Sequence, residues 1–213
     1  MKYLIILTLL FSFNNLFAKV MTVKEKKNRF KNIVVPAVNK VYEDLQTQYI
    51  ETKHYMNRSH KYYRKNIEKL KKQYKAQGDE DLLKRLKPHP RSIAIAQAAM
   101  ESAWATSRFY KKANNIFGVW SNNKNEPRIA AGETRGTNTI WLKKYISVED
   151  SIIDYYKTLA KGRAYKAFRN LKMKTDNPYE LVKKLDSYSE LGAKYGEELS
   201  QVIKYNKFYL YDR

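Results

Sequence analysis

The chain has 213 residues, and its 42 lysines and arginines outnumber its 21 aspartates and glutamates, giving a formal net charge of +21. It contains no cysteine, so disulfides, thiolate metal sites and lipid attachment to cysteine are excluded. The surplus positive charge implies an anionic partner but does not identify any chemistry. The histidines His54, His60 and His89 lack the spacing of metal ligands and are predicted to lie at the surface, so we expect no metal and no cofactor.

Residues 1–18 have the composition of a secretory signal peptide. One lysine precedes an apolar run of roughly ten residues, and the small residue Ala18 follows. This run is shorter than the segment of about 20 residues that spans a bilayer. The sequence predicts cleavage before Lys19 and export to the periplasm or cell envelope, with an uncleaved anchor as the alternative. Export disfavours nucleic acid as the partner, and we expect a monomer without stable membrane insertion.

Residues 19–87 are predicted to form a helical N-terminal extension. Apolar residues recur at three- and four-residue spacing from Phe30 to Leu45 and again from Ile67 to Tyr74. Pro36 is expected to kink or divide the first helix. The basic, tyrosine-rich stretch 54–65 leaves two interpretations open, a surface that binds a polyanion and a solvated helix face.

A helix is predicted over 92–108, begun by Ser92 as N-cap, because prolines precede it and neither glycine nor proline interrupts it. Glu101 lies on this helix, and most neighbours on its face cannot solvate a charge. Two interpretations are open. Glu101 faces solvent beside an apolar stripe, or it is desolvated, with a raised pKa that suits a general acid. Gln97, one turn earlier, would then orient it or a substrate hydroxyl.

Two motifs carry a resemblance to a known family. The segment A-Q-A-A-M-E-S-A-W-A-T-S (96–107), followed by N-N-I-F-G (114–118), resembles the glucosaminidase family of peptidoglycan hydrolases, which includes Bax-type proteins and flagellar muramidase-like domains. The resemblance implies a lysozyme-like fold in which Glu101 is the general acid. Family glycines are replaced by Ala103 and Ala105, a change that a helix is expected to tolerate. The resemblance covers nearly the whole chain after the signal segment.

The resemblance also implies a substrate cleft. Its lining is predicted to include Gln97, Trp104, Asn115, Phe117, Trp120 and Glu133. Trp120 is either a sugar-stacking residue or a core residue. A polar, turn-rich segment from Ser121 to Asn138 and the alternating residues after it predict a small β-hairpin at the cleft mouth.

Many family members carry a second acid on this lobe, at the position occupied by Trp141. Glu126 and Glu133 lie on the same predicted lobe but out of register, so the sequence does not assign a general base. Near the C-terminus, 186–206 resembles a family segment whose tyrosine, here Tyr188, faces the acid. Tyr188 is predicted to orient water or stabilise charge, with a packing role as the alternative. Tyr195 is predicted to belong to the core.

Taken together, the sequence predicts a mainly α protein. A lysozyme-like α+β domain (88–213) with a small β-hairpin lobe follows the helical extension (19–87). The implied activity is hydrolysis of the β-1,4 bond on the N-acetylglucosamine side of the glycan strand, and the implied partner is peptidoglycan. A lytic transglycosylase and a non-catalytic wall-binding protein remain as alternatives.

Overall fold

The computed structural model describes residues 21–56, 58, 61–135 and 138–213, without the side chains of 133–138. The predicted signal segment and His60 therefore lie outside the described residues. Helix α1 (Val23–Tyr55) begins with a reciprocal cap. Thr22 Oγ1 accepts from the Glu25 backbone N–H, and the Glu25 carboxylate accepts from that of Thr22. Pro36 lies inside this helix and does not divide it.

The remaining helices follow in chain order around one hairpin. Before the hairpin come α2 (Lys61–Tyr74), α3 (Asp79–Leu86), α4 (Arg91–Glu101) and α5 (Arg108–Ala113). After it come α6 (Val148–Lys161), α7 (Lys166–Leu171), α8 (Pro178–Leu181) and α9 (Ala193–Tyr205). Short 3-10 segments cover Arg163–Tyr165, Val182–Lys184, Asp186–Tyr188 and Phe208–Asp212. The Ser-x-x-Asp pattern at 147–150 predicts a capped helix start, and in the structure Ser147 and Asp150 bond reciprocally at the start of α6.

Helix α4 is shorter than predicted, ending at Glu101 instead of continuing to Arg108. Ala103, Trp104 and Ala105 have φ values of 49°, 61° and 57°, which belong to the left-handed region. The expectation that a helix accommodates alanine at these two positions was therefore wrong, because neither alanine is helical. Pro90, not Ser92, precedes the first helical residue, and the Ser92 N–H donates to Asp212 Oδ1 at 2.8 Å.

The predicted hairpin is present as an antiparallel pair, β1 (Arg128–Arg135) and β2 (Asn138–Lys143), with a register irregularity between Ala130 and Thr134. Its base is tied to α5 by Arg108, whose guanidinium donates to the carbonyls of Ala130 and Ala131. The hairpin is thus held against the segment that follows Glu101.

One apolar core contains residues from both sides of the predicted domain boundary at residue 87. Phe30, Val34 and Val38 of α1 are fully buried together with residues of α4, α6 and α9. A smaller cluster joins the end of α1 to α2 and α3 and includes Tyr49, Tyr74, Leu82 and Leu86. The N-terminal helices therefore supply one wall of the core that supports Glu101.

His89 is buried rather than at the surface, with 1% of its area exposed. Its ring stacks on Tyr156 with centroids 4.4 Å apart, and Phe168 covers its edge. Desolvation, followed by the charge of Lys172, lowers the pKa of His89 to about 3. The prediction of a surface position was wrong because Tyr156 and Phe168, from helices distant in sequence, pack over this histidine.

Two structural absences hold for the part of the chain that the structure describes. Within it, no helix combines the length and the apolar character needed to cross a membrane. The same residues contain no group of three or more histidines and acids close enough to hold a metal ion.

Candidate active site

Glu101 is the last residue of α4, and a tyrosine from α9 holds its carboxyl group. Tyr195 Oη donates a hydrogen bond of 2.8 Å to Glu101 Oε1. Tyr195 is 2% exposed, whereas Glu101 as a whole is exposed. The bond engages one carboxyl oxygen from the protein side.

This hydrogen bond is the outer member of a chain that runs into the core. Gln97 Nε2 donates to Tyr195 Oη at 2.9 Å, and Tyr155 Oη donates to Gln97 Oε1 at 2.5 Å. Gln97 and Tyr155 are 0% and 1% exposed. Because the amide group of Gln97 is used on both sides, its orientation is fixed, and it directs the Tyr195 hydroxyl toward Glu101.

The surroundings of Glu101 favour the protonated carboxyl. Burial raises the pKa of Glu101, and the hydrogen bond from Tyr195 lowers it in part. Glu101 nevertheless keeps exposed surface, so protein atoms enclose its carboxyl group on the side of Tyr195 and leave another side open to solvent. The environment therefore matches a general acid that a substrate can reach.

Tyr188 lies beside this hydrogen-bonded chain. Its ring stacks on Tyr195 with centroids 5.4 Å apart and an interplanar angle of 13°, and it meets the edge of Tyr155 at 6.3 Å. Burial and then the charge of Glu101 raise the pKa of Tyr188. The phenol is thus a neutral hydroxyl within electrostatic reach of the acid.

Three of the predicted substrate contacts are core residues. Gln97 serves the chain to Glu101 and is not placed to touch a substrate. Asn115, 1% exposed, bonds through its amide to the backbone of Val119 and Lys143 and so holds the loop to the hairpin. Phe117, 3% exposed, stacks on Tyr155 at 4.0 Å. Burial contradicts a direct contact with substrate for all three.

The other predicted contacts are placed differently. Trp104 is half-buried and packs edge-on against Phe30 of α1, with centroids 5.2 Å apart. Trp120 is 49% exposed and pairs through its backbone with Leu142 of β2. Glu133 lies in β1, and its side chain is outside the description. Trp120 is therefore the candidate with the most surface available for a sugar ring.

Comparison with known proteins identifies the family. Residues 80–208, more than half of the chain, match the Glucosaminidase family, described as mannosyl-glycoprotein endo-beta-N-acetylglucosaminidase. The chain belongs to the glucosaminidase family. The predicted resemblance is confirmed, and with it the prediction of a glycoside hydrolase domain.

The chain is also similar to two other proteins. The chain is 30% identical to protein bax of Escherichia coli (strain K12) over 132 residues, which are 59% of this chain and 46% of that protein. The chain thus spans less than half of that relative. It is also similar to the catalytic domain of the autolysin Auto from Listeria monocytogenes, with 19% identity, 92% coverage of both chains and a TM-score of 0.51. The predicted lysozyme-like fold is confirmed.

The acids near the β-hairpin whose side chains the structure describes are held by other groups. Trp141, where many members carry the second acid, faces the Arg128 guanidinium at 4.2 Å from the ring centroid. Glu126 Oε1 accepts from Ser121 Oγ at 2.7 Å. Asp154 of α6 accepts from Lys143 and Tyr145; burial opposes ionisation, but these bonds lower the pKa of Asp154.

Tyr195 is the site residue that sequence reasoning missed. It was predicted as core, and it is core, but its hydroxyl is the direct partner of Glu101. The available signal was its place seven residues after Tyr188 on a segment that the glucosaminidase family shares. That spacing alone does not show that a helix brings Tyr195 back to the end of α4.

Proposed function

We propose that the protein is an exported peptidoglycan hydrolase that cleaves the β-1,4 bond on the N-acetylglucosamine side of the glycan strand, with Glu101 as general acid. The observation that carries this proposal is the hydrogen bond from the buried Tyr195 to one oxygen of Glu101, a residue whose pKa is raised by partial burial and which still has exposed surface. Family membership supplies the reaction class, and the relative described as an autolysin supports a cell-wall polymer as substrate.

The geometry divides the two carboxyl oxygens of Glu101 between two tasks. Oε1 accepts from Tyr195, so the acidic proton belongs on Oε2. Oε2 then donates this proton to the glycosidic oxygen as the C–O bond breaks, and the carboxylate left behind is stabilised by the Tyr195 hydroxyl. A positioned general acid contributes about 10²- to 10⁴-fold to the rate.

The second catalytic function, activation of the attacking group, is proposed to be performed without a second carboxylate. Tyr188, whose ring stacks on that of Tyr195, is proposed to orient a water molecule or the substrate's own acetamido group. Attack by the acetamido carbonyl is a known departure from the two-carboxylate scheme. Trp120 is proposed to stack on a sugar ring and to help hold the reacting bond at Glu101.

The net charge of +21 supports a polyanionic wall as the partner. Peptide stems of peptidoglycan carry carboxylates, and long-range attraction to them concentrates the protein on the polymer in a salt-sensitive manner. Export, proposed from residues 1–18, places the protein where this polymer lies.

The test is mass spectrometry of material released from purified sacculi by the wild type, by Glu101→Gln and by Glu197→Gln, an exposed glutamate of α9 that serves as a matched control. We expect reducing N-acetylglucosamine ends from the wild type and the control, and none from Glu101→Gln. Circular dichroism and thermal unfolding of each variant exclude loss of fold as the cause.

Two results contradict the proposal in different ways. Anhydro-muramyl ends instead of reducing ends identify a lytic transglycosylase that uses the same acid. Binding of sacculi without any release by the wild type identifies a wall-binding protein that has kept the cleft.

A further inference from the structure

An open groove of about 420 Å³ lies between the start of α1 and the outer face of α9, next to the segment that follows Glu101. One wall is Lys27 of α1, the floor is Met100 and Trp104, and the other wall is formed by α9. The α9 residues that line it are Glu198, Gln201, Val202 and Tyr205, followed by Asn206. None of these residues has a task in the reaction proposed above.

A lysine ammonium is fixed inside this groove by neutral partners. Lys27 Nζ lies 4.6 Å from the centroid of the Trp104 ring and 5.0 Å from that of Tyr205, and it donates to Asn206 Oδ1 at 2.9 Å. Ring faces and an amide attract a cation but do not cancel its charge. The groove therefore presents a localised positive charge between two aromatic surfaces, and Tyr205 is 82% exposed.

The opposite wall carries a negative charge. The side chain of Glu198 is 36% exposed, and its nearest described cation is Lys194, on the outer side of α9 at 3.8 Å. A groove with one ammonium, one carboxylate and two aromatic rings is complementary to a short peptide that carries both a free carboxylate and a free amine. A neutral sugar alone does not require such a pair of charges.

Two chain segments connect the groove to the candidate active site. Trp104 follows Glu101 by three residues, and Glu198 follows Tyr195, the partner of Glu101, by three residues on α9. The groove and the candidate active site are thus formed in part by the same two segments.

We propose that this groove binds the peptide stem of the substrate, with Lys27 pairing a stem carboxylate and Glu198 the amine of its diamino acid. The inference rests on the proposed function. In the bond cleaved there, the leaving oxygen belongs to a muramic acid, and the stem is attached to the neighbouring oxygen of that sugar. The stem therefore starts next to the atom that Glu101 protonates.

The first experiment compares two forms of one substrate, soluble glycan strands with their peptide stems and the same strands after enzymatic removal of the stems. The kcat/KM ratio between these forms is measured for the wild type, for Lys27→Met and for Lys40→Met, an exposed lysine further along α1. We expect the wild type to prefer strands with stems, Lys27→Met to reduce this preference about three- to tenfold, and the control to keep it. An unchanged preference in Lys27→Met, or no preference in the wild type, overturns the proposal.

The second experiment does not depend on turnover. A free stem tripeptide that contains the diamino acid is titrated into Glu101→Gln, with and without Lys27→Met, and the indole N–H resonance of Trp104 is followed by NMR. We expect saturable shifts that weaken about three- to tenfold without Lys27. Binding by a protein that releases no products from sacculi keeps this proposal and refutes the hydrolase. Turnover of sacculi without peptide binding keeps the hydrolase and refutes the peptide-binding groove.

Discussion

Tyr195 Oη donates a 2.8 Å hydrogen bond to Glu101 Oε1 and thereby joins the first turn of helix α9 to the last residue of α4. The same hydroxyl accepts from Gln97, which is fully buried. The position of the candidate acid is therefore set by core residues, and each link of this chain can be tested by substitution.

Removal of the Tyr195 hydroxyl is expected to change both rate and pH dependence. Because this bond lowers the pKa of Glu101, Tyr195→Phe should raise it and shift the high-pH limb of the kcat profile upward. Loss of positioning should reduce kcat by about tenfold or more. Tyr209→Phe is the control, since Tyr209 lies at the surface in the C-terminal segment. A lower kcat with an unmoved limb would show that Tyr195 has only a packing role.

The left-handed turn after Glu101 predicts different outcomes for the substitutions Ala103→Gly and Ala105→Gly. An L-residue in this region costs about 1–2 kcal/mol, which glycine avoids at some cost in unfolded-state entropy. Ala103 is exposed, so Ala103→Gly should raise the free energy of unfolding by about 0.5–1 kcal/mol. Ala105 is 1% exposed, and loss of its buried methyl group, about 0.8 kcal/mol, should offset the gain.

Chemical unfolding in urea measures these changes. Ala99→Gly inside α4 is the control and should lower the free energy of unfolding by about 1 kcal/mol or more. If Ala103→Gly also destabilises the protein, the turn is not left-handed in solution.

The burial of His89 is expected to make the free energy of unfolding sensitive to acid. The unfolded residue takes up a proton near its usual pKa of 6.5, whereas the folded one does so only near 3. The free energy of unfolding should therefore decrease as the pH falls from 6.5 to 3, by roughly a few kcal/mol, and this contribution should be complete above 6.5. Carboxylates such as Asp81, whose pKa is lowered by its bonds to Gln77 and Arg85 against the effect of burial, add their own acid dependence.

A matched variant separates the acid dependence that comes from His89 from that of the carboxylates. His89→Phe keeps a ring on Tyr156 but removes the titrating group, so the difference between wild type and variant isolates the histidine. The difference in the free energy of unfolding should change with pH between 7 and 4. A difference independent of pH would mean that His89 is not buried in its neutral form.

Phe30 tests whether the N-terminal helix belongs to the same cooperative unit as the site. Its ring is fully buried and lies edge-on to Trp104. Phe30→Ala should lower the free energy of unfolding by about 3–5 kcal/mol, whereas Val23→Ala, at the exposed start of the same helix, should have little effect. If both variants unfold like the wild type, the extension is a separate unit, as a boundary at residue 87 implies.

The sequence was most informative where the signal is local. The cap formed by Ser147 and Asp150, the turn-rich hairpin and the motif around Glu101 depend on neighbours in the chain. The sequence was least informative about polar residues in the core. Asn115 bonds to the carbonyl of Lys143, 28 residues away, and Gln97 lies between two tyrosines 58 and 98 residues away. No spacing rule shows that such amides are enclosed, so they were predicted to contact substrate.

The prediction of where α4 ends was wrong for a different reason. Alanine is the best helix former, and a run from Ile93 to Ala105 without glycine or proline favours continuation. The Ser102 side chain nevertheless bonds to the Ala98 carbonyl and to the Ala105 N–H and stabilises the turn that ends the helix. Tertiary and capping contacts outweigh local preference here, at the position where the helix presents Glu101.

The hydrogen-bonded chain from Tyr155 through Gln97 to Tyr195 has a consequence for heat inactivation. Because each of its members is anchored in the main core, the acid cannot lose its orientation by loosening of a surface loop alone. Activity and folded structure should therefore disappear together on heating, and the midpoint of inactivation should coincide with the melting temperature rather than precede it.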